Sequence, residues 1–138
     1  LLVSKERSDS PIDLPGALGL LCARIPAPRM ALDMAPDIVI DSPACAHAVF
    51  RCIQEAVSNT VRHAGAATMT IRLAHDAVGD MVIDIADDGR GSAGAPHGNG
   101  LRGIAERMAQ FGGELLAGDR PHTGFALRLR LPAPGAGL

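Results

Sequence analysis

The chain has 138 residues, of which 47% are hydrophobic and 20% charged, so it carries enough apolar surface for one folded domain. Only 2% of the residues are aromatic, with no Trp and no Tyr, which leaves no stacking platform for single-stranded nucleic acid. The net charge of −2 argues against general binding of polyanions such as nucleic acids. Lys5 is the only lysine, which excludes a phosphate loop of the lysine-dependent type.

The cysteines and the absence of long apolar runs indicate in which cellular compartment the domain is expected. Three cysteines (Cys22, Cys45 and Cys52) lie in apolar stretches without metal-ligand spacing, which favours small core residues in a reducing compartment. No apolar run approaches the roughly 18–20 residues of a membrane span, and no signal peptide opens the chain. We therefore expect a cytoplasmic domain at residues 13–132, without membrane contact of its own. Residues 1–12 are expected to be a linker from an upstream segment, and residues 133–138 a flexible tail.

Hydrophobic periodicity and turn residues predict helices and strands in mixed order. The predicted elements are a helix at 17–24, a strand at 29–35, a helix at 44–64 closed by Gly65, strands at 68–74 and 81–87, a glycine-rich loop at 88–100, a helix at 101–111 and a strand at 125–131. The strands have one polar face and the helices one apolar stripe. This pattern predicts an α+β fold, a two-layer sandwich of a mixed, mostly antiparallel sheet with helices on one face.

Polar side chains share one stripe of the long helix at 44–64, opposite its apolar residues. Glu55, Asn59, Arg62 and His63 stand at helical spacing, so they lie on the same side. A solvated helix face is the ordinary explanation, but Asn within a helix is unfavourable relative to Ala. An Asn oxygen suits Mg²⁺, which prefers oxygen ligands and takes phosphate oxygens for the rest. Arg62 and His63 are candidate donors to those phosphates.

A carboxylate stands where the strand at 81–87 should face the core. Asp87 has the same parity as Met81, Ile83 and Ile85, so it points to the apolar side of the sheet. Burial of a carboxylate is costly unless donors reach it, and the amino group of an adenine is a suitable donor. A plain turn at the strand end explains the following Gly89 but not Asp87.

Gly98, Gly100 and Gly103 form a glycine-rich segment that leads into the next helix. The free N–H groups and the dipole of a helix N-terminus bind anions. By itself this pattern is weak, because it follows a loop and not a strand of a βαβ unit, as a dinucleotide fingerprint requires. A plain turn remains the alternative.

Taken together, these stretches carry a resemblance to a known family. QEAVSNTVRHA (54–64), DDGRG (87–91) and GNGLRGIAERM (98–108) resemble the N box and the two glycine boxes of the GHKL, or Bergerat-fold, ATPases. In particular they are similar to sensor histidine kinases of the nitrate-sensor-like class. The similarity covers about residues 14–132, and the three motifs in this order are strongly specific.

The resemblance implies a role for each matching position. It makes Asn59 the Mg²⁺ ligand and Glu55 the catalytic residue that helps to activate an acceptor histidine. It implies that the remaining matching positions bind ATP through its adenine or its phosphates: Arg62, His63, Asp87, Gly89, Gly91, Gly98, Gly100, Leu101 and Gly103. Residues 92–97 would form a short ATP lid.

Two features depart from the family pattern. The family has Gly-Thr before its last strand, whereas this chain has Gly124-Phe125, so a hydroxyl is missing there or displaced to Thr123. None of the histidines lies in the acid-and-glutamine pattern of a phosphoacceptor helix. The dimerisation helices are therefore expected to lie outside this chain.

The function implied by the resemblance is that of the catalytic domain of a sensor histidine kinase. Such a domain binds Mg²⁺ and ATP and transfers the γ-phosphate to a histidine of a dimerisation domain, from which a response regulator receives it. The isolated domain is expected to be a monomer that binds no nucleic acid. A serine kinase of the anti-sigma type, or a nucleotide-binding module without transfer activity, remain the alternatives.

Overall fold

The computed structural model describes residues 11–38, 40, 42–63, 65–90, 98–119 and 124–133. The elements in chain order are α1 (Leu14–Ala23), β1 (Arg29–Met34), α2 (Pro43–His63), β2 (Thr68–His75), β3 (Met81–Asp87), α3 (Gly98–Ala109), β4 (Glu114–Asp119) and β5 (Phe125–Leu131). Each predicted helix and strand is present, and β4 is additional. Among the described residues, no helix has both the length and the apolar composition needed to cross a membrane.

The strands form one five-stranded sheet in the order β1-β2-β3-β5-β4. β1 runs parallel to β2, and every other neighbouring pair is antiparallel. The alternating sequences of β2, β3 and β5 place their apolar residues on one face of this sheet. The predicted mixed, mostly antiparallel sheet is therefore confirmed.

All three helices pack on the apolar face of the sheet and share one aliphatic core with it. Leu18 of α1, Ile53 of α2 and Ile104 of α3 are fully buried. They join Ile71 and Ile83 of the central strands in the same cluster. The two-layer arrangement with helices on one face follows, because each amphipathic helix can bury its stripe only against that face.

Polar side chains cap the N-termini of α1 and α2. Asp13 caps α1 by accepting a hydrogen bond from the N–H of Gly16 at 3.2 Å. Ser42 caps α2 in the same way for the N–H of Cys45, also at 3.2 Å, with Pro43 in the first turn.

The bounds of α3 differ from the prediction. The helix begins at Gly98, three positions before the predicted Leu101. Glycine is a poor helix former, so the sequence places the start at the first apolar residue. The helix also ends earlier, because Gly112 with φ of 75° lets the N–H of Gly113 bond to the carbonyl of Met108 at 2.8 Å. This pattern is a Schellman turn.

Ion pairs cover the outer face of the sheet. Arg128 donates to both oxygens of Asp84 across the β3–β5 pair, at 2.7 and 3.2 Å. Next to the turn between β2 and β3, Arg130 donates to Asp76 and Asp80. Burial alone would raise the pKa of Asp76, but hydrogen bonds from Arg130 and from backbone N–H groups lower it. Exposed pairs of this kind add little stability each, so the core fixes the fold.

Candidate functional site

Asp87 ends β3 on the buried side of the sheet, as its parity predicts. Its side chain is only 4% exposed, in line with Met81, Ile83 and Ile85. The N–H of Gly89 donates to Asp87 Oδ1 at 2.8 Å, and the hydroxyl of Thr60 donates to Oδ2 at 3.2 Å. These bonds offset the cost of burying a carboxylate.

A cavity of about 50 Å³ lies against Asp87. It is formed where α2, β3, α3 and β5 meet, and its lining residues are Ala56, Asn59, Thr60, Ile85, Asp87, Leu101, Phe125 and Leu127. Most of the lining is apolar, and its polar side chains are an amide, a hydroxyl and a carboxylate. This combination suits a flat, mostly apolar ring that carries a hydrogen-bond donor.

The polar stripe of α2 runs past the same cavity. Arg62 Nη2 donates to Asn59 Oδ1 at 3.0 Å and lies 3.9 Å from Glu55 Oε2. Glu55 and Arg62 are partly open to solvent, with side chains 36% and 57% exposed. The structure therefore brings these three residues together, with Asn59 next to the cavity. His63 belongs to α2, but its side chain lies outside the described part of the structure.

The glycines of the two glycine-rich motifs differ in their structural positions. Gly89 is buried and donates to Asp87, whereas Gly91 and the expected lid at 92–97 lie outside the described residues. Gly98 and Gly100 fall in the first turn of α3, where a helix has unbonded N–H groups, whereas Gly103 is the sixth residue of the helix and lies in its second turn. Leu101, in the same segment, lines the cavity.

Gly124 directly precedes β5, the strand that pairs with β3 next to Asp87. Its φ is 100°, a conformation that residues with side chains rarely adopt. A Cβ at this position would lie 1.9 Å from the carbonyl oxygen of Asp87. The glycine of the Gly124-Phe125 pair therefore allows β5 to approach β3, while Phe125 contributes to the cavity wall.

Asp88, a residue without a role in the sequence analysis, closes the corner beside Asp87. Its carboxylate accepts from the N–H of Ala67 at 2.8 Å, and from the N–H and the hydroxyl of Thr68, each at 2.9 Å. These bonds, those from Thr68 foremost, lower the pKa of Asp88. The bonds thus stabilise the fold above about pH 4, and that stabilisation is lost as the pH falls through the lowered pKa. They join the start of β2 to the end of β3.

Thr60 is a second residue that the sequence analysis does not assign to the site. Its position on the apolar arc of α2 marks it as a core residue, and it is indeed only 8% exposed. A hydroxyl on an apolar arc needs a hydrogen-bond partner, and this one finds Asp87. The helical pattern alone therefore indicates a buried hydroxyl that needs a partner, whereas the partner itself is identified only by the fold.

The described residues contain no group of three or more His, Cys, Asp or Glu side chains able to hold a metal ion. A magnesium ion does not require such a group, because it often binds through one or two protein oxygens together with substrate phosphates and water. Asn59 Oδ1, with Glu55 one turn away, is an oxygen donor of that kind. Arg62 would have to release Asn59 Oδ1 for the ion to bind.

The sequence matches a known family over most of its length. Residues 45–135 match the family described as Histidine kinase-, DNA gyrase B-, and HSP90-like ATPase. The chain is 31% identical over 90 residues to sensor histidine kinase YxjM of Bacillus subtilis, covering 65% of this chain and 22% of that protein. It is 34% identical over 99 residues to sensor histidine kinase YvfT of the same organism, covering 71% and 26%. The chain thus spans about a quarter of the length of these relatives.

A solved structure shares both the fold and part of the sequence. The ATP-binding domain of PrrB from Mycobacterium tuberculosis superposes with a TM-score of 0.65 at 26% identity, covering 91% of this chain and 98% of that one. Sequence and structure thus agree on the same assignment. The chain belongs to the family of histidine kinase-, DNA gyrase B- and HSP90-like ATPases, as an ATP-binding domain of the histidine-kinase type.

Proposed function

We propose that this chain binds Mg²⁺ and ATP and transfers the γ-phosphate to a histidine on a dimerisation domain that lies outside it. The observation that carries this proposal is the shared cavity of Asp87 and Asn59. A buried carboxylate suits the amino group of adenine, and an amide oxygen suits the metal on the phosphates. One nucleotide would then bridge both residues, with Arg62 and the first turn of α3 as phosphate donors.

The adenine would enter between α2 and the sheet. The cavity of about 50 Å³ is smaller than the 300–1,000 Å³ usual for ligand sites, so its wall must move when a base binds. Leu101 and Phe125 are the half-buried apolar side chains of that wall. We propose that these two side chains rotate to open the cavity and then pack on opposite faces of the ring. The edge of the ring with the amino group then faces Asp87.

The phosphates would lie along the polar stripe of α2. Mg²⁺, when bound, neutralises phosphate charge, and Asn59 would hold it. Arg62 is placed beside Asn59 and supplies planar N–H donors that match phosphate oxygens. His63 follows on the same helix, and the N-terminus of α3, which begins at Gly98, would supply backbone N–H groups to a phosphate.

Replacement of Asn59 by Ala should remove the part of ATP affinity that depends on Mg²⁺. We expect ATP binding in Mg²⁺ to weaken about tenfold, which is roughly 1.4 kcal/mol, while binding in EDTA stays the same. Calorimetric titration with and without Mg²⁺ measures both. Gln54→Ala, an exposed amide on the same helix, is the matched control. Equal losses with and without Mg²⁺ would contradict the role of Asn59.

In the transfer step a ring nitrogen of the acceptor histidine attacks the γ-phosphorus, the bond to the β–γ bridging oxygen breaks, and ADP leaves. Glu55 is partly exposed, so an acceptor helix that approaches from solvent can reach it. We propose that Glu55 accepts the proton of the incoming imidazole. Arg62 lies 3.9 Å from this carboxylate and would turn to the phosphates when ATP binds. Catalysis then rests on positioning and on charge neutralisation.

We further propose that the parent protein resembles nitrate sensors in class and passes the phosphoryl group to a response regulator. The short segment between the glycine boxes, residues 92–97, supports that class. A cytoplasmic location is in line with free Cys22, Cys45 and Cys52. Burial raises the pKa of the Cys52 thiol to about 11, which keeps it unreactive.

The test is to supply the missing acceptor. The chain, fused to the histidine-bearing dimerisation domain of a sensor histidine kinase and given radiolabelled ATP with Mg²⁺, should produce an acid-labile and base-stable phosphohistidine. A fusion with the acceptor histidine changed to Ala should stay unlabelled. Acid-stable phosphoserine on a partner would favour the serine kinase instead. ATP binding without transfer to any acceptor would favour a nucleotide-binding module.

A further inference from the structure

The hydroxyl of Thr60 is joined to the carboxylate that, under the proposed function, reads the base. Among the residues that the structure describes, Thr60 and Asp87 are the buried polar or charged side chains, at 8% and 4% exposure. They meet at 3.2 Å across the boundary between α2 and β3, and both line the cavity. The hydrogen bond satisfies both buried groups, and the mostly apolar cavity that they line has the few polar groups expected of a ligand site.

The chemistry of the pair fixes the direction of the hydrogen bond. A carboxylate only accepts, so the single hydroxyl proton of Thr60 points to Asp87 Oδ2. The Thr60 oxygen then presents lone pairs, and not a proton, to its surroundings. The N–H of Gly89 holds the other oxygen of Asp87 at 2.8 Å. Together the two donors set the plane of the carboxylate.

The hydrogen bond to Asp87 comes from α2 and not from the neighbouring strand. Phe125 is the β5 partner of Asp87 in the sheet register and has no hydroxyl, whereas the hydroxyl of Thr60 reaches the carboxylate from α2. Thr123, the position to which the hydroxyl of the Gly-Thr pair would be displaced, lies outside the described residues.

We propose that Thr60 is a positioning residue that sets the preference of this site for a purine with a 6-amino group. This inference rests on the proposed function, since it concerns the base of the same nucleotide. Thr60 donates its proton to Asp87 and so holds the carboxylate with its remaining lone pairs toward the base. These lone pairs favour an amino group, which donates, over a 6-oxo group, which accepts. Thr60 acts through Asp87, whose plane it fixes.

The experiment compares ATP with inosine triphosphate, which carries oxygen in place of the 6-amino group. Titrations in Mg²⁺ use the whole chain and the variants Thr60→Val, Thr60→Ser and Asp87→Asn. Valine has the shape of threonine without the hydroxyl. Thr70→Val, the same change at an exposed position of β2 on the outer face, is the matched control. Thermal melting confirms that each variant is folded.

We expect Thr60→Val to weaken ATP binding about tenfold and to change the binding of inosine triphosphate less than twofold. Thr60→Ser should keep the affinities for both nucleotides within twofold of those of the unsubstituted chain. Thr70→Val should bind both nucleotides as the unsubstituted chain does. Added to Asp87→Asn, Thr60→Val should cause no further loss, because the hydroxyl acts through the carboxylate.

Each other outcome overturns a defined part of the account. If the parent chain does not bind ATP, the proposed function and this inference both fail. If Asp87→Asn loses ATP while Thr60→Val keeps both affinity and preference, the role of Thr60 fails and the proposed function stands. If Thr60→Val weakens both nucleotides by the same factor, Thr60 has a structural role only.

Discussion

Gly124→Ala is expected to destabilise the fold by roughly 3–5 kcal/mol, from backbone strain at a positive φ together with steric overlap. The added methyl group would lie 1.9 Å from the Asp87 carbonyl oxygen and 3.0 Å from Asp88 Cα. Both contacts are with backbone, so no side-chain rotation relieves them. The strands β3 and β5 must separate locally, and this moves Asp87 itself. A loss of this size is a large share of the stability of a typical domain.

Chemical denaturation of the parent chain and of Gly124→Ala measures the effect. Gly118→Ala is the matched control, because Gly118 lies in β4, is exposed, and has nothing within 4 Å of an added Cβ. The control should change the free energy of unfolding by less than about 0.5 kcal/mol. If Gly124→Ala were as stable as the control, the close approach of β5 to Asp87 would be wrong.

Asp87→Asn is expected to weaken ATP binding by roughly 1–3 kcal/mol, which is about 5- to 150-fold in the dissociation constant. The amide oxygen can still accept from Gly89, and the amide nitrogen can donate to Thr60, so the fold is retained. The cavity then faces the adenine amino group with another donor. The loss should therefore be larger for ATP than for inosine triphosphate.

Asp84→Asn is the control for that variant. Asp84 lies on the same strand but on the outer face, where it pairs with Arg128. Its replacement removes the same charge from β3 and should leave nucleotide affinity unchanged. Undiminished ATP affinity in Asp87→Asn would remove the main support for the proposed function, whereas equal losses in both variants would indicate a general effect of charge.

Much of the fold follows from periodicity alone. The strict alternation of β3 predicts both its bounds and the inward direction of Asp87, and the structure has both. The single apolar stripe of α2 predicts a helix that packs on one face of a sheet. Val61 is the exception on that stripe, since it is 46% exposed near the end of the helix. The core no longer covers the helix there.

Other features depend on partners that are distant in the sequence. β4 does not alternate, and Leu116 within it is 62% exposed, so only pairing with β5 defines it as a strand. The need for glycine at position 124 arises from the carbonyl of Asp87, which lies on another strand. The bond between Thr60 and Asp87 joins residues 27 positions apart. Such contacts are properties of the fold, and the local sequence does not identify the partner residue.

In the proposed site, Asp87 recognises the base while Asn59 holds the metal of the same nucleotide. A crystal structure of this chain with Mg²⁺ and a non-hydrolysable ATP analogue tests both roles at once. We expect the adenine amino nitrogen within about 3 Å of an Asp87 carboxylate oxygen, and the ion on Asn59 Oδ1 with Arg62 turned to the phosphates. A base bound away from Asp87, or an α2 stripe that contacts only solvent, would show that the proposed site is wrong.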